Sequence, residues 1–332
     1  MHEGRPTFST DTLTIDAEAE IERIAASLRQ QLRQSVRRRG LVLGLSGGID
    51  SSVCAGLAAR AIGPHNVFCL FMPENDSDPE SLRLGRLVAE TFGVSSEVED
   101  IGSTLAAMGC YERRDGFIRD VEPGYGPGWT SKIVIDGPLT TGGYNLSSLV
   151  VRSPEGETRK HRLTAAAYQG IVAATNMKQR TRKQLEYYHA DRLNYAVIGT
   201  PNRLEYDQGF FVKNGDGAAD VKPIAHLYKS QVYQLAEHLG VPAQVRSRPP
   251  TTDTYSLPQT QEEFYFALPY DKMDLCLYGL DHAVPAADVA RACGLSEEQV
   301  GHVWTDIRAK RKVARYLHLP PQLSGDFSQS QT

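Results

Sequence analysis

Apolar residues Ile21, Ile24, Ala25, Leu28, Leu32 and Val36 recur at three- and four-residue steps, the spacing of one buried helix face. Arg37, Arg38, Arg39 and Gly40 follow, cations and a glycine of the kind that close helices. The almost uniformly apolar run 41–45 then reads as a strand buried on both faces, as in a parallel sheet. After a Gly/Ser turn at 46–52 comes a helix of small residues ending at Gly63, a second strand at 67–72 and a second helix at 81–92, stopped by Gly93. A third strand is expected at 98–101. Strand and helix alternate, so the predicted class is α/β, a doubly wound parallel sheet.

The alternation breaks at 109–162, a stretch rich in Gly, Pro and charge with strand-like pieces at 132–136 and 146–152. Ser153-Pro154-Glu155-Gly156 has the chemistry of a hairpin turn, so an inserted β-rich subdomain is expected here. The α/β pattern resumes with a long helix at 164–194, a strand at 195–199 and a helix at 229–239. The C-terminal third reads as helical and punctuated by proline. The expected organisation is a flexible N-terminus (1–14), one domain over 15–322, and a disordered Ser/Gln-rich tail (323–332).

Composition narrows the function. Lys+Arg is 36 and Asp+Glu is 40, a formal net charge of −4, which argues against a generic nucleic-acid binder. No apolar run reaches the roughly 18 residues of a membrane span. The five cysteines are dispersed without a CxxC pair, and the first 14 residues have no apolar leader core, so a cytoplasmic protein with reduced thiols is expected.

The strongest chemical signal is Ser46-Gly47-Gly48-Ile49-Asp50-Ser51-Ser52 between strand and helix. Glycines bring N–H groups close to a ligand, serines add donors, and the helix start adds partial positive charge, which suits an oligophosphate. It is not a P-loop, since GxxxxGK[ST] is absent. A carboxylate in a phosphate cradle makes sense if Asp50 holds a divalent cation that bridges the phosphates. Glu205 lies just past another predicted strand end on the same edge, where open α/β sheets bind ligands. By residue type alone it could also be a solvated loop carboxylate, Lys229 a surface lysine, and Phe210-Phe211 core packing.

The loop resembles that of the ATP pyrophosphatases. Several further motifs are similar, in order and spacing, to the NAD synthetase family: Asn176, Arg180 and Arg182 on one helix; Gly199-Thr200 with Glu205; Gly209-Phe210-Phe211 with Lys213, Gly215-Asp216-Gly217 and Ala219-Asp220; then Leu227-Tyr228-Lys229 and Pro250-Thr251. The resemblance implies a Rossmann-like ATP pyrophosphatase fold. It implies ATP contacts at Gly44, Leu45, Ser46, Gly47, Gly48, Ile49, Asp50, Ser51, Thr200, Lys229 and Thr251. It further implies magnesium ligands at Asp50 and Glu205, a dinucleotide grip by Arg180, Lys213, Asp220 and Lys310, and catalytic duty for Asp50, Lys213 and Glu205. Two departures stand out: Ala309 where the family often has histidine, and Gln261 where it has aspartate.

The implied reaction is amidation of deamido-NAD to NAD by ammonia, through an acyl-adenylate, with AMP and pyrophosphate released. A homodimer is implied, with apolar positions Ile171, Val172, Leu185, Tyr188 and Leu193 of the long helix as its surface, and no nucleic-acid or membrane partner. No stretch of the chain reads as a fused amidase, so ammonia is expected free or from a separate glutaminase. The rival readings are a related amide synthetase acting on another carboxylate, and an ATP-binding sensor.

Overall fold

The computed structural model describes residues 8–136, 146–251, 254–266 and 268–325. In chain order the elements are α1 (Ala17–Gln30), β1 (Leu41–Gly44), α2 (Ile49–Ile62), β2 (Val67–Phe71), α3 (Pro79–Phe92), β3 (Ser95–Val98), α4 (Gly102–Ala107) and α5 (Cys110–Arg119). Then come β4 (Thr130–Asp136), β5 (Leu146–Arg152), β6 (Thr158–Arg162), α6 (Ala165–Leu193), β7 (Ala196–Val197) and α7 (Arg203–Gln208). The chain continues with α8 (Lys229–His238), α9 (Ala243–Arg246), α10 (Tyr270–Asp281), α11 (Ala286–Cys293) and α12 (Glu297–His318).

Strands β1, β2, β3 and β7 form a parallel sheet in the order β3-β2-β1-β7. The run 41–45 is apolar throughout because alternate side chains serve opposite faces. Leu41, Leu43 and Leu45 join the core made with α1, α2, α3 and α8. Val42, Leu70 and Val197 join the other, with Ile101, Leu105, Cys110 and Ala190. Helices cover both faces, which is the doubly wound arrangement. Strand order reverses at β1, with β2 on one side and β7 on the other, so the ligand crevice of such a sheet falls at the carboxyl ends of these two strands.

Four expectations need correction. The third strand lies at Ser95–Val98 rather than 98–101. It is an edge strand whose four side chains are all exposed, so it gives no apolar signal, and Ile101 is buried at the start of α4 instead. The insertion is not β-rich from its start. Cys110, Arg114 and Ile118 face inward at four-residue steps, making α5 a helix packed on α6, and the buried charge of Arg114 hides the period. The antiparallel sheet β4-β5-β6 follows, with 153–157 as the β5–β6 turn. Residues 8–14 are structured: Thr10–Leu13 form a 3₁₀ turn, Leu13 is buried and Phe8 stacks on Tyr278 at 5.8 Å. Of the expected flexible terminus and tail, 1–7 and 326–332 lie outside the described residues. Finally, Ile171 is fully buried, and Val172, Leu185 and Leu193 pack within the subunit, which leaves Tyr188 as the one exposed member of the proposed dimer surface.

Candidate active site

The loop after β1 folds as its residue types require. Gly47 has φ +73°, and a Cβ there would come within 2.5 Å of the Ser81 carbonyl, so only glycine fits. Ser51 and Ser52 hydroxyls donate to the Gly48 carbonyl at 3.0 and 2.8 Å, and Ser46 Oγ accepts from Gly48 N–H at 3.3 Å. Asp50 lies in the first turn of α2.

Across the crevice, Asn202 and Glu205 form a reciprocal cap on α7. Asn202 Oδ1 accepts from Glu205 N–H at 3.3 Å, and Glu205 Oε2 accepts from Asn202 N–H at 3.1 Å. Asn202 also donates from Nδ2 to Asp50 Oδ1 at 3.0 Å, tying the two carboxylate-bearing elements together. The Asn-x-x-Glu spacing is a sequence-level capping signal that could have marked Asn202 in advance.

Lys229 is fully buried, not a surface lysine, and its ammonium pairs with Asp50 Oδ2. Burial pulls this ammonium down, but the charges of Asp50 and Glu205 outweigh it and leave its pKa raised. Asp274 of α10 fixes the start of α8, accepting from Lys229 N–H at 3.2 Å and Ser230 N–H at 2.7 Å. Asp274→Ala is therefore expected to cost about 1–2 kcal/mol of unfolding free energy, the value of a helix cap, in urea denaturation. A change below about 0.3 kcal/mol would show that the cap is dispensable.

Glu205 is the most perturbed carboxyl of the site. Burial and the neighbouring Asp50 charge push it up to about 8, against a smaller downward pull from Lys229. Two carboxylates here face one ammonium.

These groups border a cavity of about 540 Å³, in the range of small-molecule sites. Gly44, Leu45, Ser46, Gly48, Ile49, Asp50, Ser51, Thr200, Glu205 and Thr251 line it together. Lys229 stands behind this wall, joined to it through Asp50, and Gly47 packs against Ser81 and Leu84.

None of the four residues expected to grip a dinucleotide lines this cavity directly. Arg180 is exposed and donates from Nε to the Lys213 carbonyl at 3.3 Å. Lys213 Nζ donates to the Tyr316 and Leu319 carbonyls at 3.0 and 3.2 Å. Asp220 Oδ2 accepts from Val197 N–H at 2.8 Å. Lys310 is buried, paired with Asp306 at 2.7 Å and donating to the Tyr265 carbonyl at 2.6 Å. Arg180 and Lys213 are thus neighbours, each next in sequence to a lining residue, Gln179 and Val212, while Lys310 touches the lining through the Tyr265 carbonyl.

Sequence reasoning gave no place in the site to several cations on or beside the cavity wall. Lys178, Arg182 and Lys183 fit a solvated basic face on paper. Lys178 is instead fully buried, paired with Glu74 at 2.9 Å and Asp76 at 2.6 Å, and Lys183 pairs with Glu186 at 2.6 Å in the cavity wall. Arg182 and Arg248 also line it. The partners of Lys178, Arg182 and Arg248 are far away in sequence, so no local pattern announces them, whereas Lys183 meets Glu186 one turn along the same helix.

A parallel sheet with a phosphate-type loop and facing carboxylates at its reversal point defines a nucleotide-binding α/β protein. The NAD synthase family model matches residues 20–118 and 153–315, and the chain belongs to that family. The unmatched interval contains β4 and β5. The chain is 73% identical over 321 residues to an NH(3)-dependent NAD(+) synthetase of Rhizobium meliloti (strain 1021), covering 97% of this chain and 96% of that protein. It is 68% identical over 316 residues to a protein of the same description from Rhizobium rhizogenes (strain K84), covering 95% of each. Among solved structures, the fold matches an NMN synthetase from Francisella tularensis with TM-score 0.65 and 21% identity, over 95% of this chain and all of that one. It also matches an NH3-dependent NAD synthetase from Campylobacter jejuni, in complex with nitrate, with TM-score 0.60 and 22% identity, over 94% of this chain and all of that one.

Proposed function

We propose that this cavity carries out ATP-dependent amidation of deamido-NAD to NAD with ammonia, the reaction of an ammonia-dependent NAD synthetase, a ligase that forms a C–N bond. The observation that carries the reading is the convergence of the 46–51 loop, Asp50 and Glu205 on one cavity at the reversal point of the sheet. In the first step a carboxylate oxygen of the nicotinate attacks the α-phosphorus of ATP, the bond to the pyrophosphate oxygen breaks, and pyrophosphate departs. Ammonia then attacks the acyl carbon, AMP leaves with the bonding pair, and the amide nitrogen loses its extra proton.

The loop's N–H groups and the hydroxyls of Ser46 and Ser51 would hold the departing pyrophosphate, whose charge grows as the bond breaks. Lys229, Thr200 and Thr251 complete the ATP side, and Arg180, Lys213 and Asp220 the dinucleotide side, with Lys310 supporting Tyr265. No side chain need become a covalent nucleophile, and catalysis rests on position and charge.

The donor set fits magnesium. The carboxylates of Asp50 and Glu205 outnumber the single ammonium of Lys229, and burial with the Asp50 charge holds Glu205 toward its protonated form, which a cation placed between the two would reverse. Among the described residues no group of three or more His, Cys, Asp or Glu side chains is placed to hold a metal alone, and on this reading phosphate oxygens and water would fill the rest of the shell. Bound at Asp50 and Glu205, Mg²⁺ would supply Lewis acidity to the phosphate oxygens.

A homodimer completes the reading, resting on Tyr188 (58% exposed) and on Val313 (72%) and Tyr316 (66%) of α12. Light scattering tests it, with a fully active monomer as the contrary result. No described helix is long and apolar enough to cross a membrane. The cytoplasm is proposed as the site of action on the five free, buried cysteines.

The test of function supplies the purified chain with ATP, Mg²⁺, deamido-NAD and a nitrogen donor. Ammonium is expected to give NAD and AMP in equal amounts, and glutamine alone to give none. Glutamine-driven synthesis with glutamate released would overturn the ammonia reading. ATP turnover indifferent to deamido-NAD would overturn the substrate.

A further inference from the structure

Among the described residues, none between Leu82 and Tyr168 lines the cavity, so the inserted sheet β4-β5-β6 touches no substrate space directly. It touches the wall instead. Strand β4 has β5 on one edge, and its other edge is taken by the segment 256–259. Leu257 N–H donates to the Ser131 carbonyl at 3.1 Å, and Ser131 N–H donates to Ser256 Oγ at 2.8 Å. Gln259 Nε2 donates to the Ile133 carbonyl. Lys132 Nζ reaches over the same edge to the Pro258 carbonyl at 3.1 Å and to Glu263 Oε2 at 2.9 Å.

The segment held this way carries Thr254, Tyr255, Gln261, Phe264 and Tyr265 into the cavity wall. Its apolar side is secured from the same source. Tyr255 is buried with Ile133, Leu149 and Val151 of the inserted sheet, and Phe264 packs against that cluster. Beyond it Tyr265 stacks on Phe210 at 4.8 Å, at the start of the glycine-rich stretch leading to Lys213. The wall from 254 to 266 has short helical structure only at Glu262–Phe266. An irregular wall without outside support must lose conformational freedom when ligand binds, and that loss weakens binding.

We propose that the inserted sheet is the element that pre-orders this wall for the dinucleotide, with Lys132 and Ser256 as positioning residues. The inference rests on the reading of the cavity as the substrate site. It assigns the insertion a role in substrate affinity rather than in chemistry. The clamp acts on binding, so its loss raises KM for deamido-NAD and leaves kcat nearly alone.

The experiment compares wild type, Lys132→Ala, Ser256→Ala and Lys132→Arg as full chains. Steady-state kinetics are read alongside chymotrypsin cleavage after Tyr255, Phe264 and Tyr265, with cut sites identified by mass. Lys132 is a partly exposed side chain outside the catalytic set, so its alanine variant is expected to fold. Either alanine variant should raise KM for deamido-NAD about fivefold with kcat within about twofold. Cleavage at the wall should quicken by a similar factor and be slowed again by ATP with deamido-NAD. Lys132→Arg, whose guanidinium can still reach both acceptors, should restore both readouts. Ligand protection in every form, with KM and cleavage rate unchanged in both alanine variants, would overturn the clamp while leaving the cavity reading intact. No ligand protection in wild type would overturn the cavity reading and the clamp together.

Discussion

Asp50→Asn is expected to lower kcat/KM for ATP by about 100- to 1,000-fold, the usual scale for loss of a metal-binding or charge-stabilising group, and to lower stability as well. The second effect was not foreseeable from the loop motif, which suggests a catalytic carboxylate separable from the fold. The structure makes Asp50 the partner of a fully buried lysine. Neutralising it leaves the Lys229 ammonium out of water with only Glu205 to answer its charge. Removing one member of a buried pair costs about 3–5 kcal/mol, and the asparagine oxygen recovers part of that by accepting a hydrogen bond. A loss of about 2–3 kcal/mol is therefore expected in urea denaturation. Lys229→Met tests the cause, since adding it to Asp50→Asn should return stability while activity stays low. An Asp50→Asn protein as stable as wild type would mean that the ion pair does not shape the fold.

The half of the molecule that carries the glycine–serine loop was legible in the sequence because its signals are local. Burial on both faces writes β1 as an unbroken apolar run, and the turn after β1 must use Gly47 where φ is positive. The facing carboxylate was legible for the same reason, since Glu205 sits at a fixed offset from a strand end. What stayed hidden depends on contacts distant in sequence. Lys229 is surface-like by residue type and becomes buried only because α10 supplies Asp274 and the loop supplies Asp50. Lys178 looks like a solvent charge until Glu74 and Asp76 are brought to it. The edge strand β3 was misplaced because an exposed strand carries no hydrophobic period. Helix α5 was missed because one of its three inward positions is an arginine, which reads as polar although it is paired with Asp76. At Lys229, Lys178 and Arg114 a charge is buried with a partner distant in the chain, and composition counts such a residue as surface.

Glu205→Gln should separate activity from stability where Asp50→Asn joins them. A loss of about 100-fold in kcat/KM is expected, with the Mg²⁺ concentration for half-maximal rate moved upward. The folded state should be as stable as wild type or more so. Burial and the Asp50 charge already hold the Glu205 carboxyl toward its neutral form, raised to about 8. An amide of the same shape keeps the acceptor for Asn202 N–H and cannot ionise beside Asp50, so the cost that the carboxyl incurs as pH rises past about 8 is absent. The positive charge of Lys229 keeps its direct partner, because Asp50 is untouched. On the proposed reading, a buried carboxyl that is costly to the protein alone gives its benefit only when cation and nucleotide bind beside it. Urea denaturation in EDTA reads the stability and Mg²⁺-dependent initial rates read the activity. Near wild-type rates at limiting Mg²⁺ would remove Glu205 from the metal site. A stability loss above about 2 kcal/mol would instead make it a structural partner of Lys229 on a par with Asp50.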